Sequence, residues 1–160
     1  MQQSEDIVQG WKEELQEKGY LSDDLIQDLD REVVVNGEKY RMVAELSVKV
    51  QGKNFMMLKI ERPKSPLKLL ERRTISIARI IDEEPFPFVI LTTGEESLFI
   101  DTINKRSTSE LDIPTRDEAL EILSEISSEK SFDLDREKRV FAAFESFWPN
   151  ADSCSSCSIS

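Results

Sequence analysis

Histidine is absent from this 160-residue sequence, and cysteine occurs only at Cys154 and Cys157. Without histidine there is no Ser-His or Cys-His nucleophile pair and no imidazole metal ligand. The C-x-x-C pair has no second pair or histidine to complete a zinc site, and its serine-rich flanks read as a disordered end. No apolar run approaches the roughly 20 residues that a membrane-spanning helix needs. The first residues, Met1-Gln2-Gln3-Ser4-Glu5-Asp6, lack the basic and apolar regions of a signal peptide. The expected setting is therefore the cytoplasm, with no membrane partner. No G-x-x-x-x-G-K-S/T loop occurs, so no nucleotide motor is expected in this chain. Positive charge is in deficit: 21 basic against 32 acidic residues leave a net charge of −11. Nucleic-acid affinity comes mainly from neutralised phosphates, so contact with DNA would need a local basic patch.

What is present suits one soluble domain. Hydrophobic residues make up 39% and charged residues 33%, enough for both a core and a polar surface. The expected organisation is a core over residues 5–106, a helical extension packed on it over 107–149, and a tail over 150–160. Ile7, Val8, Trp11 and Leu15 have helical spacing, with Gly19 as the closing residue. Ser22-Asp23-Asp24 offers a cap for a short second helix through Leu25, Ile26 and Leu29. Val33-Val34-Val35 followed by Asn36-Gly37 signals a hairpin, because both turn residues tolerate positive φ. The chain returns from Glu38 to Val50, with Ser47 and Lys49 expected on a wet face. Phe55-Met56-Met57-Leu58 reads as a central strand buried on both faces.

Pro63 and Pro66 end that strand, and a helix is expected from Leu67 to Asp82. Strands follow over Phe86–Thr92 and Ser97–Asp101, then a loop through Asn104–Thr108. Two strands joined through a helix form a β-α-β unit and lie parallel, so the sheet is mixed. A helix capped by Thr115 and Glu118 runs to about Ser127. A last helix opens at Asp133-Leu134-Asp135, carries Val140, Phe141, Phe144 and Phe147, and stops at Trp148-Pro149. The fold class is thus α/β with a mixed α+β sheet: an αβββαβ core with extra C-terminal helices.

One charge feature stands out. From Lys59 to Arg73 six basic residues face only Glu61 and Glu71, a local reversal of the chain's acidity. Lys64, Lys68 and Arg72 fall on one helical face with Arg73 close by. With Arg41, these are the candidate DNA-binding or partner-binding residues. A solvated helix face accounts for the same pattern.

The residues Tyr40-Arg41, Ala44-Glu45-Leu46-Ser47-Val48 and Gly52-Lys53, and the apolar strand to Arg62-Pro63, form a recurring pattern. Leu70-Glu71-Arg72-Arg73, Ala78-Arg79 and Phe88–Glu95 continue it. The pattern resembles the PD-(D/E)xK nucleases, and within them the N-terminal domain of type I restriction enzyme R subunits. That resemblance implies a restriction-endonuclease-like core in a prokaryotic protein. It also implies two carboxylates holding Mg²⁺, with a lysine beside them to stabilise charge on phosphate. By position the family's first acid falls on Glu45, its second on Lys59, and its lysine on Glu61. The last two charges are exchanged. A cation at position 59 would repel another cation about 4 Å away by roughly 4 kcal/mol at an effective dielectric near 20.

The leading expectation is therefore a pseudo-nuclease with no cofactor, acting in DNA or protein binding. Its Glu45, Lys59 and Glu61 would form an ion-pair cluster at the solvent end of two strands. A Mg²⁺-dependent endodeoxyribonuclease, with Glu45 and Glu61 as ligands and Lys59 as charge stabiliser, is the alternative. An acidic protein-interaction module is the third reading.

Overall fold

The computed structural model describes residues 2–126 and 132–147. The tail over 150–160, Cys154, Cys157, the stop at Trp148-Pro149 and the expected helix end at Ser127 lie outside the described residues. The elements, in order, are α1 (Gln2–Glu17), β1 (Leu25–Val35), β2 (Glu38–Val50), β3 (Lys53–Ile60) and α2 (Leu67–Ile80). They continue with β4 (Phe88–Thr92), β5 (Ser97–Asp101), β6 (Arg106–Thr108), α3 (Arg116–Glu125) and α4 (Leu134–Phe147). Among the described residues six strands form one mixed sheet in the order β1-β2-β3-β4-β5-β6. Only the β3–β4 pair is parallel, joined through α2 as a β-α-β crossover; the other neighbours are antiparallel.

Both early hairpins turn through two left-handed residues. Asn36 and Gly37 take φ +52° and +81°, and Gln51 and Gly52 take +51° and +78°. That geometry matches the twist of the flanking strands, which is why Asn-Gly pairs favour it.

The expected helix through Leu25, Ile26 and Leu29 is instead the first half of β1. Its residues pair with β2 from Leu25↔Val48 to Val35↔Glu38. The apolar spacing suits a helix, but a long partner strand is available and its ladder wins. Asp28, at φ +58°, interrupts the ladder locally. The segment expected as a loop before Thr108 contributes the three-residue edge strand β6, paired with β5.

Alternation along the strands sends side chains to two cores. On one face Met57, Val89, Leu91 and Ile100 pack with Leu70, Ile77 and Ala78 of α2 and Phe141 of α4. On the other, Leu46, Val48, Met56, Leu58 and Ile90 pack with Val8 and Leu15 of α1 and Ala119 of α3. Helices thus cover both faces, and Ser47, expected on a wet face, is buried with its hydroxyl donating to the Ile26 carbonyl at 3.3 Å. Phe55, Met56, Met57 and Leu58 are all buried, as a central strand requires. No helix among the described residues is long and apolar enough to cross a membrane.

Candidate functional site

The β2–β3 ladder runs from Val50↔Lys53 to Leu46↔Leu58, and Glu45 is the next residue of β2. Its side chain takes over where the ladder ends: Oε1 accepts the Ile60 backbone N–H at 2.7 Å. Lys59 lies opposite Leu91 in the parallel β3–β4 register, on the same side as Met57. Its Nζ stands 3.8 Å from Glu45 Oε2. Glu61, just past β3, donates its backbone N–H to the Thr92 carbonyl at 2.8 Å. Its Oε2 is 3.5 Å from Arg73 Nη1.

Glu45 and Lys59 thus pair with each other and Glu61 faces Arg73 of α2; Glu45 keeps partial exposure, but Lys59 and Glu61 do not lie at a solvent end. Lys59 is 1% exposed and Glu61 7%. The reason is the layer above them: α2 and α4 cover this end of the sheet and bring their own charges. Arg73, 0% exposed, hydrogen-bonds from Nε to Glu145 Oε1 at 2.6 Å, and its Nη2 stands 2.5 Å from the same oxygen as an ion pair. Its guanidinium also lies 5.5 Å from the Phe141 ring centre.

Arg73 is thus corrected from the outer basic face to the interior. Its spacing explains why: it follows Leu70 by three and precedes Ile77 by four, on the stripe that faces the sheet. Of the other candidates on that face, Lys64 is exposed in left-handed backbone. Lys68 Nζ contacts Glu71 Oε1 at 2.9 Å and Ser107 Oγ at 2.7 Å. Arg72 binds Glu137 Oε1 through Nη2 at 2.6 Å, and Ser76 Oγ through Nη1 at 2.8 Å. Arg41 lies apart on β2, its Nε and Nη2 forked onto the Asp30 carboxylate at 2.6–3.1 Å. That bond, with the charges of Arg41 and Arg31, holds the Asp30 carboxyl below its usual range against the opposing effect of burial.

Sequence reasoning passed over Glu137 and Glu145. They stand four residues on either side of Phe141, so all three share one side of α4. Both acids are buried, at 2% and 5% exposure. Glu137 receives Arg72, Arg79 Nη1 at 3.2 Å and Ser76 Oγ at 3.1 Å. Arg79 also donates from Nη2 to the Thr102 carbonyl at 2.6 Å, and its guanidinium lies 3.8 Å from the Phe132 ring centre. Each buried charge thus has opposite charge within reach, the condition for a charge to be kept under a helix layer.

Burial pushes the Glu137 carboxyl up, but the Arg72 hydrogen bond and charge, with Arg79 and Ser76, hold it below its usual range. A depressed folded value contributes stability above the unfolded value, and that stability is lost as pH falls through the folded one. Unfolding free energy should therefore decline as pH drops below about 4.3. Glu137→Gln should flatten that decline in urea titrations at stepped pH. An equally steep acid decline in the variant would contradict the assignment.

This donor set does not fit magnesium. The hard cation wants several oxygen ligands, yet the Lys59 ammonium stands beside Glu45 and an arginine beside Glu61. Among the described residues no three acidic, histidine or cysteine side chains group as a metal site. A separate open cleft of about 310 Å³ lies between α1 and the β4–β5 turn, lined by Ile7, Trp11, Glu14, Thr92, Gly94 and Ser97. None of the candidate residues lines it.

Comparison with family models, with curated proteins and with solved structures returned no match.

Proposed function

We propose that this chain is a non-catalytic binding protein on a restriction-endonuclease-like αβββαβ scaffold. In this reading it is a degenerate relative of the N-terminal domain of type I restriction R subunits, acting in DNA or protein binding in the cytoplasm. The observation that carries the loss of catalysis is the buried Lys59 ammonium, 3.8 Å from the Glu45 carboxylate. It stands where the resemblance would put a metal-binding acid. The charge that the second carboxylate would need is displaced to Glu61, which faces Arg73. The element order and the parallel β3–β4 crossover support the scaffold assignment.

Two measurements on the full chain test the reading. Plasmid and linear DNA incubated with Mg²⁺ or Mn²⁺ should remain intact. The melting temperature should not respond to either ion beyond an ionic-strength control. Metal at ten times a site's Kd would stabilise by about 1.4 kcal/mol, or roughly 3–5 °C at this chain length. Divalent-dependent cleavage that disappears in Glu45→Ala would overturn the proposal in favour of an endonuclease with a permuted site.

A further inference from the structure

Positive side chains from three distant parts of the chain converge where β5 turns into β6. Direct bonds tie α2 and α4 to this turn. Lys68 of α2 reaches Ser107 at 2.7 Å, and Arg79 of α2 reaches the Thr102 carbonyl at 2.6 Å. Arg72 and Arg79 share Glu137 of α4, whose chain neighbour is Arg136. The turn between the strands is braced. Asp101 Oδ1 accepts the backbone N–H groups of Ile103 and Asn104 at 3.0 and 3.1 Å, and Asp101 Oδ2 accepts Asn104 Nδ2 at 2.9 Å. Lys105 follows in left-handed backbone, φ +55°.

Two of the nearby carboxylates are engaged by cations. Glu71 is held by Lys68 and Ser107, and Glu137 by Arg72, Arg79 and Ser76. Asp133 accepts the Arg136 backbone N–H at 3.1 Å, and Asp135 adds one exposed negative charge on the first turn of α4. Lys105 and Arg136 are exposed, and among the described residues neither side chain has a hydrogen-bond or ion-pair partner. The buried Arg79 Nε also has no hydrogen-bond partner among the described residues. The cations repel one another: Arg72 first, then burial, Arg79 and Arg136 hold the Lys105 ammonium below its ordinary value, against Glu137. A chain of net charge −11 has acids enough to neutralise this corner, yet among the described residues Lys105 and Arg136 stay unpaired. A bound anion would relieve that repulsion.

We infer that this corner binds a phosphate-class oxyanion, with Lys105 and Arg136 in direct contact and Arg72 behind them supplying positive potential. An arginine fork matches two phosphate oxygens, and a lysine adds a point charge. Free phosphate and the phosphodiesters of a nucleic-acid backbone share this chemistry. The inference gives a ligand class to the binding module proposed above and rests on that reading.

The test uses the full chain and the double reversal Lys105→Glu with Arg136→Glu. Lys12→Glu with Lys53→Glu is the control of equal net charge. Anisotropy of a labelled DNA duplex should report binding at low salt that weakens steeply as salt rises. The Lys105/Arg136 reversal should weaken it at least about tenfold and make the logarithmic salt dependence shallower by about 1–2. The control should change affinity less than about threefold. A rise in melting temperature with inorganic phosphate over chloride at equal ionic strength, lost in the reversal and without duplex binding, identifies the free oxyanion as ligand. No response to either probe overturns the inference, as does duplex binding indifferent to the reversal. Polyglutamate competing as well as DNA overturns it in favour of an acidic protein partner. Divalent-dependent cleavage would refute the non-catalytic reading without touching this site, so the two failures are distinguishable.

Discussion

Replacing Arg73 by methionine should lower the unfolding free energy by about 3–5 kcal/mol, the usual cost of removing one partner from a buried ion pair. Methionine keeps much of the volume and the contact with Phe141, so the loss reports charge rather than a cavity. Glu145 would be left 5% exposed and Glu61 7% exposed, each without its guanidinium neighbour. For a chain of this length the melting temperature should fall by roughly 10 °C. Urea denaturation should show a lower midpoint at unchanged slope. Adding Glu145→Leu to Arg73→Met should recover part of the loss, because Glu145 is then no longer a buried charge beside a missing arginine, while Glu61 remains one. A single-variant loss below about 1 kcal/mol would mean that water or rearrangement reaches Glu145, and the buried-pair account would be wrong.

Phe141→Ala should cost about 3–5 kcal/mol, the range for truncating a fully buried phenylalanine. Phe141 is 0% exposed, meets Tyr40 of β2 edge-on at 5.9 Å between ring centres, and lies under the Arg73 guanidinium. It is the apolar anchor between α4 and the sheet, flanked by the two acids that α4 brings to α2. Unfolding should remain a single transition seen alike by fluorescence and circular dichroism. A variant that loses α4 signal first, with the sheet intact, would show that α4 is an appendage. That outcome would also remove the cover that keeps Lys59 and Glu61 from solvent.

Much of the architecture was legible because it rests on local signals. Asn36-Gly37 demanded a tight turn whatever surrounded it, and the apolar run Phe55–Leu58 reads as a strand covered on both faces. Pro63 and Pro66 end it. The crossover from β3 to β4 through α2 followed from connection rules. Leu25–Leu29 misled because its apolar spacing fits one helical turn. The partner that makes it a strand, the second half of β2, lies some twenty residues away in sequence. Arg106–Thr108 carries no strand signal of its own and pairs only because β5 presents an edge.

The candidate site divides the same way. The resemblance put Glu45 beside Lys59 and Glu61, and strand periodicity puts positions 59 and 61 on one face. The burial of Lys59 and Glu61 could not be read. Arg73 and Glu145 are 72 positions apart, and Arg72 and Glu137 are 65 apart. A charge on an apolar stripe reads as an error until its counter-charge arrives from another helix. The spacings Leu70-Arg73-Ile77 and Glu137-Phe141-Glu145 hinted that such charges face inward, but did not say toward what.

By itself the sequence determined the turns, the central strand, the mixed sense of the sheet and the exclusion of histidine chemistry. The turns and the exclusion of histidine chemistry depend on local backbone conformation or residue type, and the central strand and the mixed sense follow from apolar patterning and connection rules. Only the tertiary structure decided that Lys59 lies sealed beneath two helices, that Arg73 turns inward, and that Lys105 and Arg136 share a corner. Those outcomes depend on which charges the packed layers bring within a few ångströms of each other, and Coulomb interactions are set by distance in space, not along the chain.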